Sequence, residues 1–157
     1  MNELKKVNIL NIYELLEFLK KFSYIMSFCP LYDEPDIGFL NQWILDQGKY
    51  LICPKIKGTS LLPCKISNLS QLRRGKWWIL EASDCNVVDF DQIEVVLIPG
   101  KKFDIYGHRQ GRGKWYYDRF LVKLPNAVKI GVLNYSQLVT KLNSNPWDVK
   151  MDILLQL

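Results

Sequence analysis

Four glycines, Gly100, Gly107, Gly111 and Gly113, lie among six cations in the stretch Ile98–Leu121, IPGKKFDIYGHRQGRGKWYYDRFL. Those cations are Lys101, Lys102, Arg109, Arg112, Lys114 and Arg119; only Asp104 and Asp118 oppose them, so residues 101–119 carry +4 of the formal +5 of the chain. Glycine lets backbone approach a ligand closely, and exposed N–H groups beside cations suit a phosphate. The run Trp115-Tyr116-Tyr117 follows and ends on Asp118, a carboxylate that could hold the magnesium accompanying a nucleotide. Two named nucleotide motifs do not fit. A Walker A loop needs glycine where His108 stands and Ser or Thr where Trp115 stands, and a dinucleotide loop needs its third glycine at Tyr116. The residues alone therefore leave open both a phosphate loop and a plain surface turn. On the second reading Asp118 is an exposed helix residue paired with Lys114 one turn earlier, and Tyr116 and Tyr117 divide between core and rim.

The elements that must position this loop show in the apolar pattern. Residues 93–98, IEVVLI, form the clearest buried strand, and such continuous apolar character suits the middle of a parallel sheet. The loop 99–114 leaves that strand, helical spacing returns over 115–124, and 128–133 is another apolar strand. A short helix over 136–142 and a final strand over 149–155 complete the C-terminal half. Upstream, Ile12, Leu15, Leu16, Leu19, Phe22 and Met26 predict one amphipathic helix over 12–27. Asp33-Glu34-Pro35 opens a second, with Phe39, Leu40, Trp43 and Ile44 on its buried side and Gly48 as its stop. The runs 49–56 and 61–66 contain Pro54 and Pro63, which predict strand ends or edge pieces; 77–81 is strand-like. The expected fold is α/β: a single-domain, three-layer, Rossmann-like arrangement of a mostly parallel sheet with helices on both faces. Ligands of such sheets bind beyond the C-terminal strand ends, where the glycine loop lies.

Composition limits the alternatives. A content of 48% apolar and 24% charged residues is that of a folded chain rather than a disordered one. No apolar run approaches the roughly 18 residues of a membrane span, and the N-terminal stretch has no small-residue cleavage site, which predicts a cytoplasmic protein. Cys29, Cys53, Cys64 and Cys85 have no paired short spacing, and with one histidine in the chain a Cys/His zinc site is not expected. The four are read as reduced, apolar fillers, and His108 as a solvated loop residue.

The pattern Pro99-Gly100-x-x-Phe103-Asp104-x-x-Gly107, then Arg109-x-Gly111-Arg112-Gly113-Lys114-x-Tyr116-Tyr117-Asp118-Arg119, resembles the signature of the 5-formyltetrahydrofolate cyclo-ligase (methenyltetrahydrofolate synthetase) family. Further pieces are similar in the same order: Tyr32 to Asp36 to an acidic turn opening a helix, Gly48 to Lys55 to a G-K-x-x-x-x-P strand, Trp78 to Glu81 to a W-x-x-E strand, and Trp147 to Asp152 to a C-terminal D-x-x-x-D strand. The resemblance covers about residues 12–157. It implies ATP-dependent closure of 5-formyltetrahydrofolate to 5,10-methenyltetrahydrofolate with release of ADP and phosphate, with Mg²⁺ required. It also implies one cyclo-ligase-like domain over 1–157, without a counterpart of the family's usual first helix. Residue by residue, Arg109, Gln110, Gly111, Arg112, Gly113, Lys114, Trp115, Tyr116 and Tyr117 would wrap ATP, with Arg112 and Lys114 acting on the transferred phosphoryl group. Asp118 and Asp148 would hold Mg²⁺, Glu34 would bind the folate at its pterin, and Tyr117 would add to the folate wall. The implied partners are a reduced folate and a nucleotide, not a membrane or nucleic acid, and the implied state is a monomer. Trp115 stands where the family has glycine, and a need for φ > 0 there would make an indole costly. Ala82 follows Glu81 in place of the usual proline. Two other readings compete: a non-catalytic folate- or anion-binding descendant of the same family, and a basic RNA-binding domain using the +4 loop and its aromatic neighbours.

Overall fold

The computed structural model describes residues 3–157. Numbered along the chain, its strands are β1 (Asn8–Leu10), β2 (Tyr24–Met26), β3 (Tyr50–Lys57), β4 (Ser60–Ile66), β5 (Leu72–Arg74), β6 (Leu80–Ala82), β7 (Asn86–Val87), β8 (Val95–Ile98), β9 (Lys102–Asp104), β10 (Arg109–Gln110), β11 (Val128–Leu133), β12 (Leu138–Val139) and β13 (Ile153–Gln156). The helices are α1 (Ile12–Leu19), α2 (Gly38–Asp46) and α3 (Tyr116–Leu121). The main sheet has the order β1-β13-β11-β8-β2-β3-β4-β7. It is parallel from β1 to β3 and antiparallel beyond.

Strand β8 shows why the layers form. All four of its residues are buried, and they divide alternately between two cores. Val95 and Leu97 pack with Leu15, Leu19, Leu40 and Ile44 of α1 and α2, while Val96 and Ile98 pack with Phe120 and Leu121 of α3. Helices thus cover both faces of a mostly parallel sheet, as the apolar pattern predicts. No helix among the described residues is long and apolar enough to cross a membrane.

Several local expectations are corrected. The helix predicted over 12–27 begins with a reciprocal cap, Glu14 N–H donating to Asn11 and Asn11 N–H to Glu14, but stops at Leu19. Tyr24–Met26 instead becomes β2, because the Glu94 carboxylate accepts the N–H groups of Ser23 and Tyr24 and draws that segment to the sheet beside β8. Pro54 and Pro63 lie inside β3 and β4 rather than at their ends, facing each other in register. Neither breaks a ladder bond there: β2 pairs with β3 only as far as Ile52, and β7 pairs with β4 only at Cys64 and Lys65. The predicted helix over 136–142 is a single 3-10 turn, Tyr135–Gln137, followed by β12. Cys64 and Cys85 are joined in a disulfide, not reduced; only Cys29 and Cys53 are free, and both are buried. Sequence spacing concealed that pair because β4 and β7 bring it together in space, with Cα atoms 4.9 Å apart.

His108 is 6% exposed rather than solvated. Its Nδ1 donates to the Asp104 carboxylate at 2.7 Å, and that carboxylate also accepts the backbone N–H groups of Tyr106, His108 and Leu142. Gly107, at φ +89°, closes this turn with its missing Cβ only 2.5 Å from Met151 O, so no side chain fits. The cluster pins the β9–β10 hairpin, from which the glycine loop emerges. Burial would raise the Asp104 carboxyl, but the hydrogen bonds from Leu142, His108 and Tyr106 outweigh it and hold it below the usual carboxylate range. A depressed carboxyl stabilises the fold above its unfolded value, near 4, and that contribution is lost as pH falls through the folded value. Asp104→Asn is therefore expected to cost about 2 kcal/mol at pH 7 in denaturant unfolding, with the gap to the native chain narrowing below about pH 4.

Candidate active site

Strand β2 leads to its neighbour β3 on one side, and β8 leads through α3 to its neighbour β11 on the other. The C-terminal ends of β2 and β8 therefore flank a topological switch point, where open α/β sheets leave a crevice. The loops after both strands meet across it. Arg112, from the loop after β8, donates from Nε to Glu34 Oε1 at 3.2 Å and from Nη2 to Asp33 Oδ1 at 2.5 Å. Glu34 Oε2 accepts the Leu31 N–H at 2.9 Å, which fixes the carboxylate in its own turn. Burial raises the Glu34 carboxyl above its ordinary value, with Leu31 and Arg112 opposing. Asp33 moves the other way, held low by the Arg112 hydrogen bond.

Arg109 is the more deeply placed cation, its side chain only 8% exposed. Its Nε donates to Pro99 O at 2.6 Å, and its guanidinium lies 5.2 Å from the centroid of the Tyr117 ring. The Nη1 group has no hydrogen-bond partner; the nearest carboxylate oxygen, Asp118 Oδ1, is 3.6 Å away. Burial lowers the Arg109 pKa while Asp118 opposes the fall, so the group stays charged. Gly111 makes room for it, since a Cβ there would stand 3.1 Å from Nη2. Asp118 thus faces Arg109, not the Lys114 expected from helical spacing. Lys114 instead places its ammonium 4.4 Å over the Trp77 ring.

These groups line a cavity of about 290 Å³. Glu34, Arg109, Arg112, Lys114 and Asp118 supply its charged side, and Trp115, Tyr116 and Tyr117 part of its aromatic wall. Burial, reinforced by the Glu34 charge, pushes the Tyr117 phenol far above its usual range and keeps it a neutral hydroxyl. The rest of the wall was not singled out from the sequence as site: Phe28 and Cys29 after β2, Pro54 and Ile56 on β3, and Trp77 and Ile79 on the β5–β6 hairpin. Glu81 of the same hairpin accepts the Ile56 N–H and closes the hairpin onto β3. In the W-x-x-E piece it is Trp77, not Trp78, that reaches the cavity. Gln110 and Gly113 lie in the loop but not on the cavity wall, and Glu34 and Tyr117 do share it.

Asp148 is not among the lining residues; it sits in the loop between β12 and β13, accepting the Asn145 N–H at 2.7 Å. No group of three metal-ligating side chains occurs among the described residues. A lone carboxylate such as Asp118 still fits magnesium that arrives with phosphates, because that ion commonly takes one or two carboxylates and leaves its other positions to phosphate and water. Trp115 has φ +62°, so the position where the resemblance places glycine does adopt the left-handed conformation, and an aromatic residue there carries strain of about 1–3 kcal/mol.

The model of the 5-formyltetrahydrofolate cyclo-ligase family matches residues 10–156. A 5-formyltetrahydrofolate cyclo-ligase of Mycoplasma pneumoniae is 37% identical over 73 residues, which is 46% of this chain and 44% of that protein. Its namesake in Mycoplasma genitalium is 32% identical over 71 residues, 45% of this chain and 42% of that protein. The chain thus matches less than half the length of these curated relatives. The solved structure of Aquifex aeolicus 5,10-methenyltetrahydrofolate synthetase superimposes with a TM-score of 0.79 at 30% identity, over 90% of this chain and 72% of that one. A 5,10-methenyltetrahydrofolate synthetase from Mycoplasma pneumoniae shares the fold with a TM-score of 0.71 at 24% identity, over 90% of this chain and 79% of that one.

The Arg112 bridge makes stability depend on pH. A carboxyl raised by burial costs stability above its unfolded value of about 4.3, and removing the facing guanidinium raises it further. Arg112→Ala is expected to destabilise by about 2 kcal/mol above pH 6 in urea unfolding, and by much less near pH 3, where Glu34 is protonated in both states.

Proposed function

The chain belongs to the 5-formyltetrahydrofolate cyclo-ligase family, and we propose that it closes 5-formyltetrahydrofolate to 5,10-methenyltetrahydrofolate while ATP is cleaved to ADP and phosphate. The observation that carries this reading is the unpartnered Nη1 of buried Arg109 in a cavity that Glu34 also lines. The cations of that cavity draw an anion, and the Glu34 carboxylate on the same wall offers a hydrogen-bond acceptor.

In the proposed reaction the formyl oxygen takes the γ-phosphoryl group, N10 attacks the activated formyl carbon, and phosphate leaves. Phosphoryl transfer of this kind depends on positioning and charge neutralisation more than on covalent help from the protein. Arg109, Arg112 and Lys114 supply the cations, and the backbone from Arg109 to Tyr117, including Gln110 and Gly113, wraps the triphosphate. Glu34 accepts hydrogen bonds from N–H groups of the pterin, its orientation set by Leu31 N–H. The neutral Tyr117 hydroxyl stands on the same wall, and the apolar residues around it exclude water that would otherwise hydrolyse the activated formyl group. Asp118 and Asp148 would hold Mg²⁺, which would neutralise phosphate charge. The protein would act in cytoplasmic one-carbon metabolism as a monomer, with a reduced folate and Mg-ATP as its partners.

Mixing the protein with Mg-ATP and 5-formyltetrahydrofolate is expected to produce the absorbance of the methenyl product. Lys114→Ala and Asp118→Ala are each expected to lower kcat at least about tenfold, the scale of losing one charge-stabilising group. Folate binding without turnover would support the non-catalytic reading instead, and a folded protein that binds neither ligand would contradict both.

A further inference from the structure

Among the described residues, three non-glycine positions have positive φ, and all three are tryptophans: Trp77 at 60°, Trp78 at 61° and Trp115 at 62°. Bulky residues seldom adopt this conformation, and where they do the surroundings or the function hold them there. For Trp115 the fold offers no such reason. Its side chain does not cap α3, its indole makes no hydrogen bond among the described residues, it belongs to neither hydrophobic core, and it is 54% exposed. Glycine would meet the same backbone demand without strain.

What Trp115 does have is a place on the cavity. It lines the cavity together with Trp77, both 54% exposed, and with Lys114, whose ammonium lies 4.4 Å over the Trp77 ring. Two half-exposed indoles and a cation in one rim suit a flat aromatic ring that carries an anionic group: the faces stack and the ammonium meets the charge.

We propose that Trp115 is a specificity-determining residue, a stacking wall at the cavity mouth that selects a ligand with a flat aromatic ring next to an anion. This wall rests on the folate and ATP binding proposed above. Two rings in that reaction have the required chemistry, the benzoyl ring of the folate with its glutamate carboxylates and the adenine of ATP with its phosphates.

Calorimetry on the whole chain separates them. Binding of 5-formyltetrahydrofolate alone and of Mg-ATP alone is measured for the native protein, Trp115→Gly and Trp115→Phe, alongside thermal unfolding. Relief of the left-handed strain is expected to raise the melting temperature of Trp115→Gly by a few degrees. The same variant is expected to bind one ligand about tenfold more weakly, as loss of an aromatic stacking partner does, while Trp115→Phe stays within about threefold of the native protein. Weakened folate binding assigns the wall to the benzoyl ring, and weakened Mg-ATP binding assigns it to adenine. A Trp115→Gly protein that binds both ligands as tightly as the native chain, or more tightly, overturns the proposal and leaves the cyclo-ligase reading standing. A native chain that binds neither ligand overturns both.

Discussion

Taking a guanidinium out of water costs several kcal/mol unless its charge and its donors are matched, and Arg109 is buried with one nitrogen unmatched. Much of the surrounding structure bears on that one group. Pro99, which receives its Nε hydrogen bond, directly follows β8, a fully buried strand near the middle of the sheet. The Tyr117 ring beneath it and the Asp118 carboxylate beside it come from α3, which is anchored by Phe120 and Leu121 in the second core. The hairpin that presents Arg109 is pinned by the Asp104 carboxylate from behind. Arg109 is thus a cation fixed from several sides on the cavity wall, with no hydrogen bond to its Nη1.

The crevice at the switch point sets how the remaining charges are spent. Residues 101–119 concentrate cations, and a cluster of that kind repels itself unless acids face it. Asp33 and Glu34 face it from the opposite loop, so Arg112 ties together the loops that leave the adjacent strands β2 and β8 in opposite directions. The two acids respond in opposite ways because their surroundings differ. Asp33 is 37% exposed and is governed by its partner, whereas the Glu34 side chain is 5% exposed and is governed by burial. The β5–β6 hairpin completes the enclosure, and it lies wholly within the 21-residue span closed by the Cys64–Cys85 disulfide.

How much of this was legible in the chain depends on the range of the forces involved. The apolar run of β8 and that of β11 declared themselves because burial on both faces favours apolar residues throughout, with Lys129 of β11 tolerated through its bonds to Leu124 O and Ala127 O. The glycine-basic loop was legible as a motif, and Gly107 proves necessary because a side chain there would strike Met151 O, while one at Gly111 would crowd the Arg109 guanidinium. The apolar spacing of segment 24–26 continues that of α1 and predicts helix; pairing with β3 and β8 and the Glu94 carboxylate decide otherwise. The disulfide is likewise a contact that the sheet creates, whereas His108 and Arg109 are placed by nearer turns that bring Asp104 and Asp118 onto them. The apolar half of the cavity left no signal, since Phe28, Ile56 and Ile79 look like any other core residues until the crevice has a place.

The proposed ATP site turns on the spare donor of Arg109, and Arg109→Lys examines it most directly. A lysine keeps the charge but loses the planar fork with which arginine holds Pro99 O through Nε while its two terminal nitrogens point elsewhere. Calorimetric titration of that variant is expected to show Mg-ATP affinity reduced at least about tenfold, the scale of a charge-assisted hydrogen bond, with 5-formyltetrahydrofolate affinity within about twofold of the native protein. Unchanged Mg-ATP affinity in the folded variant would contradict it.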